Sequence, residues 1–165
     1  MNFVSFCWKL IEQLKAGHTK FKCKGSGFSL YPDGIVPIPT EEGYCWRFAH
    51  NIARIFLNRD LFPTPATNAN MAYKYLKKLY PDHHELIPGS FIFWPGGRYG
   101  HVGIYLGDNL FLENTDRPNA IQETIIGAIK ISKLDELANP GVIINIPALV
   151  KGDPLIDNSQ NYKAY

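Results

Sequence analysis

At 165 residues, with 45% hydrophobic, 13% aromatic and 19% charged side chains, the chain has apolar material for one packed core and too few charges for disorder. Seventeen basic against fifteen acidic residues leave a formal charge of +2, which excludes the strongly basic footprint of a nucleic-acid binder. Three cysteines, Cys7, Cys23 and Cys45, form neither an even disulfide set nor a Cys-x-x-Cys metal spacing, so at least one is unpaired.

The N-terminus has no basic start, and Lys9, Glu12 and Lys15 interrupt it before an apolar block builds up. No signal peptide is expected, and synthesis in the cytoplasm is. Phe3, Val4, Cys7, Leu10, Ile11 and Leu14 recur at helical spacing, which predicts an amphipathic helix over 2–16 ended by Gly17, with Cys7 on its buried stripe. No apolar run approaches the roughly 20 residues that cross a bilayer, so no membrane partner is expected. Residues 17–43 are dense in Gly and Pro and read as a turn-rich connection. A second helix is expected over 44–58, with Cys45, Phe48, Ala49, Ile52, Ala53 and Phe56 on one face and Thr40, Glu41 and Glu42 ahead of its start. A third, over 68–80, turns Met71, Ala72, Tyr75, Leu76 and Leu79 to the core and stops at Pro81.

From Pro88-Gly89 onward the period changes to that of strands: 90–94, a loop Pro95-Gly96-Gly97-Arg98-Tyr99-Gly100, 101–106, a turn at Gly107-Asp108-Asn109, and 110–114. Further strands are expected over 122–131 and 142–146, with a short helical turn over 133–138 opened by Ser132. Helices first and strands later make an α+β fold, N-terminal helices packed on an antiparallel sheet. The expected organisation is one domain over 1–150, in which 1–40 hold the first helix and the connection and 41–146 the catalytic core. Residues 151–165 follow as a polar tail, frayed or docked on a partner.

A nucleophilic cysteine needs its thiolate form, which the partial positive charge and unpaired N–H groups of a helix N-terminus favour. Cys45 is placed at such a start, on the stripe that faces the sheet. His101 opens a strand whose alternation puts His101, Gly103 and Tyr105 on one face, and it can meet the thiol as a general base. Glu113 and Asn114 on the next strand are the candidates to orient the imidazole. A two-residue loop pairing Leu106 with Asn109 favours Asn114, an odd loop or a bulge favours Glu113, and parity alone leaves both open. Tyr44, Trp46, Trp94, Arg98 and Tyr99 surround these positions in sequence and are the candidate substrate contacts, the last two on a loop whose glycines let it move. Cys7 and Cys23 have no such partner. His83 and His84 follow a helix end and read as solvated, so no metal or cofactor is expected.

Two motifs carry a family resemblance. Ile87-Pro88-Gly89-Ser90-Phe91-Ile92-Phe93-Trp94 followed by Gly100-His101-Val102-Gly103-Ile104-Tyr105-Leu106-Gly107 resembles the NlpC-type papain-like hydrolases, in which a Pro-Gly-Asp-Leu strand precedes a Gly-His-Val-Gly-Ile-Tyr strand. Gly43-Tyr44-Cys45-Trp46-Arg47-Phe48 resembles the related CHAP domains, where a Gly-x-Cys segment opens the nucleophile helix. The Cys45-to-His101 interval of 56 residues and the position of Glu113 are similar to that family's, and the likeness spans about residues 40–115. The chain departs from the pattern at Tyr44-Cys45-Trp46-Arg47, where the family has Asp-Cys-Ser-Gly, and in lacking the upstream Tyr-x-x-Gly-Gly segment, an oxyanion donor; Tyr44 or Trp46 would have to supply the second donor beside the N–H of Cys45.

The resemblance implies a papain-like fold and a cysteine peptidase or amidase that cleaves an amide of bacterial peptidoglycan through Cys45, His101 and Glu113 or Asn114. A phage endolysin or tail-associated lysin is the setting it suggests, virion-borne or reaching the wall during lysis. The alternative expectation is a catalytically silent docking component of a phage tail or similar assembly, bound to neighbours through residues 151–165. A third is an acyltransferase or deamidase on the same triad.

Overall fold

The side chain of Asn2 accepts the Ser5 N–H at 2.8 Å and opens α1 (Phe3–Lys15), and Gly17, at φ +77°, follows its end. Phe3, Cys7, Leu10, Ile11 and Leu14 are buried along one stripe, each large apolar side chain contributing about 1.5–3 kcal/mol by leaving water. The computed structural model describes residues 1–17, 22–23, 38–57, 66–118, 121–137, 141–146 and 149. Most of the connection over 17–43 and the whole tail over 151–165 lie outside them.

Two short strands, β1 (Lys22–Cys23) and β2 (Ile38–Pro39), pair in parallel. Helix α2 (Cys45–Leu57) starts one residue later than expected, with the Tyr44 carbonyl accepting the Phe48 N–H at 2.8 Å. Glu41 and Glu42 stay in the turn ahead of it, and no acidic residue lies in its first turn. In α3 (Ala69–Leu79) Asn68 caps the start by accepting from the Met71 N–H at 3.0 Å, and Ala69, Ala72 and Leu76 form the buried face. Met71, expected in the core, is 43% exposed because the stripe passes through Ala72 instead.

Six antiparallel strands follow: β3 (Phe91–Trp94), β4 (His101–Gly107), β5 (Leu110–Asn114), β6 (Ile121–Ile126), β7 (Ile129–Lys133) and β8 (Val142–Ile144), in the spatial order β6-β7-β5-β4-β3-β8. The single strand expected over 122–131 is two, because Gly127, at φ +55°, turns the chain into a hairpin that pairs Ile126 with Ile129. Ser132 belongs to β7, and the 3₁₀ turn Leu134–Glu136 opens without a side-chain cap. Helix α2 lies against β2, β4 and β5, and α1 against β6 and α2. Phe91, Phe93, Val102, Ile104, Leu106 and Leu112 meet the helices in one core.

The β4–β5 register places the chemistry. Asp108 and Asn109 form the turn with φ of 49° and 64°, the conformation a two-residue hairpin needs. Gly107 pairs with Leu110, yet Tyr105 pairs with Phe111 and Gly103 with Glu113, so Leu106 is an extra, bulged residue. Without the bulge the same turn would set Asn114 opposite Gly103. With it, Glu113 takes that place, one alternation away from His101 on the same side of the pleat.

Gly103 is required there by contact. A Cβ on it would lie 2.6 Å from Cδ2 of Phe111, whose ring packs 5.3 Å from that of Trp94. Gly103→Ala is expected to destabilise the protein by about 1–3 kcal/mol through overpacking, read as a lower urea midpoint at unchanged slope; an unaltered midpoint would show that the Phe111 ring yields freely.

Candidate active site

Cys45 is the first residue of α2, where N–H groups have no partner within the helix and the helix dipole favours negative charge. Its Sγ lies 3.9 Å from the carbonyl oxygen of Gly100, the residue that leads into β4. The thiol is thereby placed at the entry of the strand that His101 opens. On the far side of the ring, Nε2 of His101 lies 2.6 Å from Oε2 of Glu113, which leaves Nδ1 as the nitrogen for sulfur.

Glu113 is fully buried. Its Oε1 accepts from the Ser132 hydroxyl at 2.6 Å, and its Oε2 is shared between His101 and the Arg117 guanidinium. Burial alone would raise the Glu113 pKa, but the hydrogen bond and charge of His101, the Ser132 hydroxyl and the Arg117 charge together hold it below the ordinary carboxylate range. For His101, burial works against the charged ring, and the nearby Cys45 sulfur and the hydrogen-bonded Glu113 carboxylate outweigh it, raising the pKa from 6.5 to about 9.

Asn114 does not take the orienting place. Its amide donates to the carbonyls of Pro39 at 3.1 Å and Glu41 at 2.8 Å, and its oxygen accepts from the Tyr44 N–H at 3.4 Å. It ties the loop ahead of Cys45 to the end of β5, a consequence of the bulge that gave Glu113 the other face.

Among the candidate substrate contacts, Trp46 is displaced from the list: it is 3% exposed, stacks on His50, and donates its indole N–H to the Ala66 carbonyl at 3.0 Å. Neither that N–H nor the Tyr44 backbone N–H, engaged by Asn114, is turned to an oxyanion. Tyr44 is half-buried beneath the Arg47 guanidinium. Trp94 is half-buried, its ring 5.6 Å from that of His101. Arg98 stacks over the ring of Tyr99, and both are exposed.

The loop carrying Arg98 and Tyr99 is bonded through its backbone to α3. Asn70, in the first turn of α3, donates from Nδ2 to the carbonyls of Gly96 and Gly97, accepts the Gly96 N–H at 3.0 Å, and donates its backbone N–H to Tyr99 at 3.0 Å. Gly100, at φ +67°, packs so close that a Cβ would collide with the Asn70 side chain. Asn70, Arg117 and Ser132 were missed from sequence. For Ser132 the signal was available, since a turn placed at Gly127 restarts the strand alternation and puts Ser132 in phase with Phe111, its partner in register.

Cys7 is a free, fully buried thiol whose pKa burial pushes well up, which makes it inert. Among the described residues no cluster of three His, Cys, Asp or Glu could hold a metal ion, and no helix is long and apolar enough to cross a membrane.

Helices packed on an antiparallel sheet, with a cysteine at a helix start against a histidine at a strand start, define a papain-like α+β protein. The chain belongs to the NlpC/P60 family, which it matches over residues 40–136, from the loop ahead of Cys45 to the turn after β7. Members of this family are generally cysteine peptidases, and the family points to peptidoglycan. No curated protein matches the chain.

The folded-state pKa of His101 exceeds its unfolded value near 6.5, so the imidazolium's contacts stabilise the fold in full below that pH and are lost as pH rises through about 9. Titration of the His101 ring by NMR is expected to centre near 9, and Glu113→Gln to lower that midpoint by removing a negative charge. Asn114→Ala is expected to cost about 1–3 kcal/mol of stability through the loop carbonyls it leaves unpaired. If Asn114→Ala lowers the His101 midpoint as much as Glu113→Gln does, the division of labour between the two residues is wrong.

Proposed function

We propose that the protein is a cysteine hydrolase that cleaves an amide bond of bacterial peptidoglycan, as an endopeptidase or amidase, with Cys45 as nucleophile, His101 as acid and base, and Glu113 as the group that orients the imidazole. The observation that carries this reading is the Cys45 thiol at a helix start, 3.9 Å from the carbonyl that leads into His101, whose ring is in turn held at 2.6 Å by the buried Glu113 carboxylate.

In the reaction Sγ of Cys45 attacks the amide carbonyl carbon, and the carbonyl electron pair moves to oxygen, where the N–H of Cys45 is a donor. As the tetrahedral species collapses, the C–N bond breaks and the imidazolium of His101 gives its proton to the leaving nitrogen, which departs as an amine. Water then attacks the thioester, His101 takes its proton, and the C–S bond breaks to release a carboxylate and regenerate the thiolate–imidazolium pair. Glu113 keeps the ring in place and stabilises its charged form at both stages. Trp94, Tyr99 and Arg98 lie along the entry to this pair and are the proposed substrate contacts.

A phage lysis or tail setting is the narrower version of this reading and rests on resemblance alone. The docking alternative calls for a thiol beyond hydrogen-bond reach of the imidazole together with a blocked cleft; the buried Glu113 carboxylate and its Arg117 partner, built behind the His101 ring, favour the hydrolase. The acyltransferase or deamidase reading would use the same triad with another acceptor or amide.

Purified wild type and Cys45→Ala are to be incubated with peptidoglycan and the fragments identified by mass spectrometry. The wild type is expected to release fragments with a new amine and a new carboxylate, and Cys45→Ala to be slower by on the order of 10³-fold or more. Equal release by both would eliminate Cys45 as nucleophile, and new termini that are not an amine and a carboxylate would eliminate amide hydrolysis.

A further inference from the structure

The catalytic series does not end at Glu113. Arg117, four residues further on, brings its guanidinium to the same Oε2 that meets His101, and its Nε donates to the Thr115 hydroxyl at 3.3 Å. Lys130 Nζ donates to the Arg117 carbonyl at 3.3 Å and holds the segment against β7. The guanidinium thus has two side-chain anchors and reaches inward to a carboxylate that water does not touch.

Counting charges shows what it does there. In the state that attacks an amide, the sulfur is negative, the imidazolium positive and Glu113 negative. These three alone leave an uncompensated anion in a largely enclosed site, and a buried uncompensated charge is relieved by taking up a proton. A proton taken by sulfur ends the nucleophile. With Arg117 the four groups sum to zero.

We propose that Arg117 is a positioning residue of this site: its guanidinium is the second counter-cation, which lets Glu113 and Cys45 be anionic together while His101 keeps its proton. The proposal rests on the reading of Cys45 as nucleophile and adds a residue to it. The other titratable or charged side chains on the surrounding segments include Glu41, Glu42 and Tyr44 ahead of α2, Arg47 on α2, stacked over Tyr44, Arg98 and Tyr99 ahead of β4, Tyr105 on β4, Asp116 beside Arg117, and Lys133 and Lys130 on β7, the latter opposite Glu113 in register. The Lys130 ammonium is held on the Arg117 carbonyl, and the Arg98 guanidinium on the Tyr99 ring, so Arg117 is the cation placed on the carboxylate.

The test follows the ring of His101 by NMR as pH is raised, in wild type, Arg117→Met and Arg117→Lys. Methionine keeps an aliphatic stem and removes the charge, and withdrawing a cation raises the proton affinity of the groups left behind. The midpoint is expected to rise by about half a unit to one unit in Arg117→Met, and Arg117→Lys to recover at least half of the shift. Alkylation of Cys45 by iodoacetamide at neutral pH, located by mass spectrometry of its peptide, is expected to slow about 3–10-fold in Arg117→Met and to be restored in Arg117→Lys.

A midpoint that stays or falls in Arg117→Met, or one that is the same in Met and Lys variants, overturns the proposal. Should Arg117→Met not fold, Thr115→Val, which removes the guanidinium's other anchor, decides by the same sign with a smaller rise. Neither readout needs peptidoglycan, so failure to cleave the wall would refute the proposed reaction without touching Arg117, and an unmoved midpoint would refute Arg117 without touching the reaction.

Discussion

A carboxylate sealed from water must find its donors inside the protein, and Glu113 finds them on three separate segments: His101 at the start of β4, Ser132 on β7 and Arg117 beyond the end of β5. An uncompensated buried charge costs several kcal/mol, so each segment is held to a place where its donor arrives. The bulge at Leu106 turns Glu113 to the His101 side, and the hairpin at Gly127 brings Ser132 into phase with it. Sheet register and site chemistry are in this sense one constraint. The fate of a second imidazole makes the point by contrast. His50 is stacked on Trp46, and burial together with the Arg54 charge drives its pKa down to about 3. Enclosure beside a cation yields a neutral ring; enclosure beside an anion yields a charged one.

The last two residues of β5 serve the two halves of the candidate site. Glu113, on one face of the pleat, holds the imidazole, and Asn114, on the other, holds the loop that leads to the thiol. Neighbouring residues of a strand point in opposite directions by geometry, and the backbone between them is among the stiffest linkers a protein offers. The distance between sulfur and imidazole is thereby referred to a single strand end.

Much of this could be read from the chain. Helical spacing located α1, α2 and α3 to within a residue or two, and the change to strand period at Pro88-Gly89 located the meander. The Cys45 and His101 motifs stood out because both sit at element starts, where punctuation is strongest. What escaped was register. Leu106 looks like any other alternating apolar residue, and nothing local marks it as the one that is bulged; the choice between Glu113 and Asn114 depends on it. Trp46 was taken for a cleft residue from its place beside Cys45, but one step along a helix is a rotation of about 100°, enough to turn it into the core. Met71 failed the same way, since the face of α3 was assigned by apolarity when small residues, Ala69 and Ala72, line its contact. Asn70 acts through partners some 26 residues away, and Arg117, though only four residues from Glu113, lies beyond the end of β5, where strand alternation no longer predicts a facing pair.

The loop from Pro95 to Gly100 is shaped by main-chain groups answering to Asn70, while its exposed side chains, Arg98 and Tyr99, take no part in that bonding. The loop's shape and its exposed surface are thus carried by different atoms of the same six residues. Arg98 and Tyr99 can be exchanged for other side chains in the course of descent, and the carbonyl of Gly100 still arrives beside the sulfur. A lineage built on this scaffold is free to change the surface of the loop without moving the backbone that meets Cys45.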